Sequence, residues 1–190
     1  MKKIIIASIL SLAINTAFAQ FDWGVKIGGG SANLGGGSNT GFDLSFGAFA
    51  KVELKDRFGI QFDALYSIKG ASQDVDVLDS LTFETKKSSR TYKFTYVEIP
   101  IQVYFPFSEH LHLLVGLNFA SVSSGQYQDE GSSKWVDIPG IEASMGIVGG
   151  LKYETATGWD FNFRYMTADG VDLSGKASTL QFTIGKFINW

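Results

Sequence analysis

The sequence predicts an all-β fold, an eight-stranded antiparallel up-and-down transmembrane β-barrel. Three observations carry this reading. Apolar and polar residues alternate with the period of two that a strand imposes on its faces, in about eight separate stretches. The links between these stretches alternate between short and long, as in a meander with tight turns at one rim and loops at the other. Beyond residue 20 no window holds eighteen consecutive apolar residues, so nothing there crosses a bilayer as a helix.

Composition removes several function classes. The 190 residues include no cysteine, which excludes a thiol nucleophile, a thiolate zinc cluster and a lipid-modified N-terminal cysteine. A net charge of −3 gives no electrostatic basis for nucleic-acid binding. With 45% hydrophobic and 18% charged residues the chain is expected to fold, and its length suits one domain.

At the start, Lys2 and Lys3 precede a run from Ile4 to Ile14 interrupted only by Ser8 and Ser11, and Ala17-Phe18-Ala19 follows. Charged start, short apolar middle and small closing residues make residues 1–19 a secretory signal peptide cleaved after Ala19. A membrane anchor would need roughly 20 apolar residues. The barrel domain is therefore expected to span residues 20–190, beginning at Gln20.

The strands follow in order. After a weaker start at Phe21, Phe42, Leu44, Phe46, Ala48, Ala50, Val52 and Leu54 share one face, opposite Asp43, Ser45, Gly47, Lys51 and Glu53, with Phe49 breaking the rule. Phe58, Ile60, Phe62, Ala64, Tyr66 and Ile68 oppose Gly59, Gln61, Asp63, Ser67 and Lys69. A weaker strand opens at Val97, where Pro100 lacks a ladder donor and suggests a bulge. Leu111, Leu113, Val115, Leu117 and Phe119 alternate with His112, Gly116 and Asn118, and another weak strand begins at Ala143. Trp159, Phe161, Phe163 and Tyr165 oppose Asp160, Asn162 and Arg164; Leu180, Phe182, Ile184, Ile188 and Trp190 mark the last strand. Links 55–57, 106–110 and 155–158 are short, whereas 31–40, 71–90, 121–140 and 167–178 are expected to be long loops. Gly28-Gly29-Gly30 and Gly35-Gly36-Gly37 lack the context of a phosphate cradle and are expected to flank a flexible loop.

Charge decides which face meets lipid. Lys26, Asp63, Glu98 and Arg164 sit at mid-strand on the polar face and are expected at a similar depth from the short-turn rim. An eight-stranded barrel is just wide enough inside for side chains to fill and cannot hold the many large apolar residues of the other face. The apolar face therefore points to lipid, and the four charges are expected to meet in the lumen and pin it shut. Aromatics agree: Phe21, Trp23, Phe58, Tyr153, Trp159 and Trp190 fall at the short-turn rim, and Phe42, Tyr66, Phe119 and Tyr165 toward the other, as interface belts would.

The last strand, with Phe182, Ile184, Ile188 and Trp190 on one face, resembles the C-terminal aromatic signal by which bacterial outer-membrane barrels are recognised for insertion, although Phe is the usual last residue there. Gln20-Phe21-Asp22-Trp23-Gly24-Val25-Lys26, Tyr66-Ser67-Ile68-Lys69-Gly70 and Tyr96-Val97-Glu98-Ile99-Pro100 resemble the PorT-type outer-membrane β-barrel family of Bacteroidota. That resemblance covers nearly all of residues 20–190. It implies the cell outer membrane as location, no general catalytic residue, no cofactor, and for some relatives a role in protein secretion. The expected partners are outer-membrane lipid and lipopolysaccharide, the barrel insertion machinery, and a protein at the extracellular loops.

Chemistry is sparse. His110 and His112 lie at a short turn and are a poor pair for joint metal ligation. Asp74, Asp76, Asp79, Asp129, Glu130, Asp169 and Asp172 fall in the long links, with no calcium-loop spacing. No catalytic or metal site is assigned. The reading is a non-enzymatic barrel whose long loops serve surface interaction, envelope organisation or assistance to secretion. Two alternatives are a membrane-embedded lipid A-modifying enzyme, which would need a histidine near the outer leaflet, and a soluble periplasmic barrel carrying an apolar ligand.

Overall fold

The computed structural model describes residues 21–35, 38–55, 58–78, 85–139, 143–169 and 176–188. The expected signal peptide and its expected cleavage point, Asp79, Asp172 and Trp190 lie outside them. The described residues form nine strands: β1 (Phe21–Asn33), β2 (Gly41–Lys55), β3 (Phe58–Leu78), β4 (Thr85–Pro106), β5 (Leu111–Asp129), β6 (Val136–Asp137), β7 (Ser144–Glu154), β8 (Trp159–Asp169) and β9 (Lys176–Phe187). All but β6 join an antiparallel ring in chain order, closed where β1 meets β9 with Ile27 opposite Ile184. The two-residue β6 only lies along the far end of β5.

Alternation turns the barrel inside out relative to a soluble one. Ile27 is 66% exposed while its neighbour Lys26 is 2% exposed, and the same contrast recurs around the ring. The outer wall is Val25, Leu44, Phe46, Val97, Val115, Ile147 and Phe163; the inner wall is Gln61, Asp63, Gln102, Asn162, Arg164 and Gln181. Phe49, the exception in β2, points into the lumen, where its ring lies 4.3 Å from the Lys26 ammonium.

Two expectations about the links need correction. The segments 71–90 and 121–140 are mostly strand: β3 and β4 stay paired up to Leu78 opposite Thr85, and β5 stays beside β4 up to Asp129 opposite Arg90. In this stretch the apolar side chains lie inside, with Tyr92, Phe94 and Tyr96 buried, while Thr91 and Lys93 face out. A reading tuned to a greasy outer face sees only a polar loop there. The glycines 28–30 lie in β1, ahead of the expected link 31–40 that they flank. A Cβ on Gly28 would come within 2.5 Å of Thr183 Cγ2 and 3.0 Å of Ser45 Oγ, so side chains of β2 and β9 occupy that volume.

Pro100 makes no bulge. The β3–β4 register is the same on both sides of it, Phe62 with Ile101 and Leu65 with Glu98, and only the pairs of Asp63 and Ala64 drop out. The missing proline N–H explains both losses without an extra residue. The bulge lies higher, where Thr95 faces Ser124 and Tyr96 faces Val122. Ser123 is the extra residue. It shifts the parity of β5, so that Tyr127 turns toward Tyr92 on the inner side, with ring centres 6.4 Å apart.

Candidate functional site: a charge-filled lumen beneath a projecting sheet

The lumen is an ionic ladder. Among the described residues it buries five cations, Lys26, Lys51, Lys69, Lys152 and Arg164, and six carboxylates, Asp22, Asp43, Asp63, Glu98, Glu154 and Asp160. Near the short turns, Lys51 lies 2.9 Å from Glu154, and Lys152 lies 2.5 Å from Glu154 and 2.8 Å from Asp160. Both ammonium groups also face the Tyr104 and Phe187 rings at 5.2 to 5.7 Å.

At mid-depth Asp63 is the hub. One of its oxygens accepts from Lys26 Nζ at 3.1 Å and Gln61 Nε2 at 2.9 Å; the other accepts from Arg164 Nη1 at 2.6 Å. Arg164 also donates from Nε and Nη2 to Gln181 Oε1, at 2.8 and 2.6 Å. Gln181 Nε2 then passes the network to Asp43 at 2.6 Å and Ser45 at 3.0 Å. Each charge therefore has opposite charge or strong hydrogen bonds beside it, which is the condition for burying it at all.

Three of the four residues chosen from the sequence meet here. Glu98 does not, because the register sets it opposite Leu65, two positions beyond Asp63. It instead accepts from Lys69 at 2.7 Å and Ser67 at 2.5 Å, while Lys69 also donates to Thr179 at 3.0 Å. A void beside Glu98, Lys69, Asn118 and Thr179 measures about 10 Å³, room for about one water. Above it Leu34, Ala71, Tyr92, Phe94, Tyr96 and Ala120 form an apolar cluster, joined by Val122, Tyr127 and Ile138. Lys51, Lys69, Lys152, Asp22, Asp43, Glu154 and Asp160 were missed as partners, though their strand parity, the same as that of the four named charges, was a signal that could have found them.

Other expected residues fall as follows. Trp23, Tyr153 and Trp159 are exposed on the outer wall at the short-turn rim, and Phe42, Tyr66, Phe119 and Tyr165 are exposed toward the other. Phe182 and Ile188 are exposed and Ile184 is half-buried on the same outer wall. His112 faces inward, edge-on to Tyr104, whereas His110 remains in the turn with its ring 5.8 Å from Tyr153. They diverge because β5 begins only at Leu111. Among the described residues no three or more His, Asp or Glu are placed to hold a metal ion.

A closed sheet that is oily outside and ionic inside defines a transmembrane β-barrel protein. The family model of the outer membrane protein beta-barrel domain matches residues 4–185, and the chain belongs to that family. It is similar in structure to Ail, the attachment invasion locus protein of Yersinia pestis, with 15% identity over 89% of this chain and 99% of that one and a TM-score of 0.50. Neisserial surface protein A is similar at 14% identity, covering 88% of this chain and 97% of its own, with a TM-score of 0.52. At such identities the likeness concerns the fold alone. No curated protein matches the chain by sequence. The family places the barrel in the outer membrane, so its short-turn rim is periplasmic and its long rim extracellular.

Proposed function

We propose that this is a non-enzymatic outer-membrane protein whose lumen is a structural plug and whose extracellular sheet serves surface interaction, envelope organisation or assistance to secretion. The observation that carries the reading is the continuation of β3, β4 and β5 beyond the rest of the ring, up to Leu78 opposite Thr85. A barrel lumen filled by paired charges offers little room for a ligand, while the projecting strands reach well past the membrane. Lipopolysaccharide is a natural neighbour of this sheet, because Lys93 is exposed on the outer wall in the row of Gly70 and Phe42. The PorT-like motifs favour the secretion role. On this reading Lys26, Asp63, Glu98 and Arg164 hold the barrel shut, Trp23, Tyr153, Trp159 and Trp190 sit at the periplasmic interface, and the signal peptide leaves Gln20 as the first mature residue.

Replacing residues 73–90 by a two-residue turn tests it. The shortened barrel is expected to insert and keep heat-modifiable migration in unboiled gels, but to lose its surface cross-links in intact cells. Unchanged cross-links would overturn the proposal. Lipid A mass spectra with and without the protein are expected to coincide; a shifted mass would favour a lipid-modifying enzyme instead.

A further inference from the structure

We infer that the free edge of β3 above the membrane is a docking strip that accepts an extended peptide segment with basic residues at alternate positions, added as a strand to the extracellular sheet. This rests on the extracellular sheet being the working surface.

β2 last pairs with β3 at Phe42 opposite Gly70, and one further bond runs from the Asn39 N–H to the Ser72 carbonyl at 2.7 Å. β3 then continues to Leu78 with β4 on one side and, among the described residues, no strand on the other. The far edge of β5 is treated differently: Val136 and Asp137 pair with Tyr127 and Gln126, and Ile138 N–H donates to the Gly125 carbonyl at 2.9 Å. The chain covers one edge of its projecting sheet with its own strand.

The phase of the ladder shows which backbone groups the β3 edge presents. The pairs lost at Pro100 are those that need its N–H, so Asp63 and its odd-numbered companions direct their backbone groups to β4. Even-numbered residues direct theirs the other way, as the Ser72 carbonyl shows by bonding Asn39. The next donors and acceptors on the open side therefore belong to Asp74 and Asp76. Both side chains are exposed on the outer face, and Gln73–Leu78 contains neither the Lys nor the Pro with which proteins usually blunt an edge.

Charge selects the occupant. A strand laid along this edge places alternate side chains beside Asp74 and Asp76, where cations are favoured. A second copy presenting the same edge would set aspartate against aspartate, and cross-strand like charges disfavour that pairing.

The test uses full-length mature protein in detergent micelles, a synthetic peptide of alternating Lys and Val, and its Glu-Val counterpart. Amide exchange at Asp74 and Asp76 is expected to slow by about tenfold or more with the Lys-Val peptide and to be unchanged with Glu-Val. Asp76→Pro removes an N–H that, among the described residues, no strand uses, so it is expected to abolish peptide binding while heat-modifiable migration is retained. Unchanged exchange at both residues, equal binding by Asp76→Pro, or slowing that depends on protein concentration without peptide would each overturn the inference. Protection elsewhere on the extracellular sheet would sink the edge and spare the sheet, whereas surface cross-links surviving in the 73–90 replacement would sink the sheet itself.

Discussion

Arg164 Nη1 lies 2.6 Å from Asp63 Oδ2, both side chains fully buried, and Lys26 reaches the other oxygen of the same carboxylate at 3.1 Å. One carboxylate thus joins two cations carried by strands on opposite sides of the β1–β9 seam. Asp63→Ala is expected to cost about 3–5 kcal/mol, because it leaves two buried cations short of a partner. Arg164→Ala is expected to cost less, since Lys26 and Gln61 still hold Asp63. The temperature at which the compact gel band converts to the unfolded one checks both. An unchanged temperature for Asp63→Ala would contradict the plug.

Orientation of the wall is testable at Ile27, 66% exposed and set between Phe46 and Ile184. A cation there must enter the hydrocarbon. Ile27→Arg is expected to lower unfolding free energy in vesicles by about 2–4 kcal/mol, measured by urea titration of Trp fluorescence. A surface facing water would show almost no change.

Gly24 sits between Phe49 and Phe187 in the register, and those rings meet edge-on across it at 4.8 Å. A Cβ there would lie 2.8 Å from Phe49 Cε1 and still closer to the Lys186 backbone carbonyl. Gly24→Ala is expected to refold poorly, whereas Gly149→Ala, whose nearest neighbour is 3.8 Å away, is expected to refold like the parent. The yield of heat-modifiable band after refolding separates them, and equal yields would deny the close packing.

The aromatic cluster under the extracellular sheet and the ionic ladder beneath it fill the lumen among the described residues. Purified protein is expected to give no sustained conductance in planar bilayers. Steady openings of nanosiemens size would show that the lumen is not sealed.

Much of this is legible in the sequence. Phe46 beside Ser45 and Ile60 beside Gln61 already declare which side chains share a wall, because successive strand residues face opposite sides. Asp63, Lys26 and Arg164 were recognisable as lumen charges by the same rule. Glu98 lies one layer further in because it is eight residues from the strand end at Pro106, whereas Asp63 is five from Phe58 and Arg164 five from Trp159. The paired length of β3 and β4 was hidden for another reason: Tyr92, Phe94 and Tyr96 carry their apolar surface inward, reversing the contrast used lower down.

Alternation is a local property, written residue by residue, so strand number, wall orientation and the membrane as solvent could be read from the chain in isolation. Partnership in the lumen is a long-range property. Lys26 with Asp63, Lys51 with Glu154 and Gln181 with Asp43 span dozens of positions, and register and closure brought them together. Among the described residues, β2 starts too late to pair with the upper end of β3.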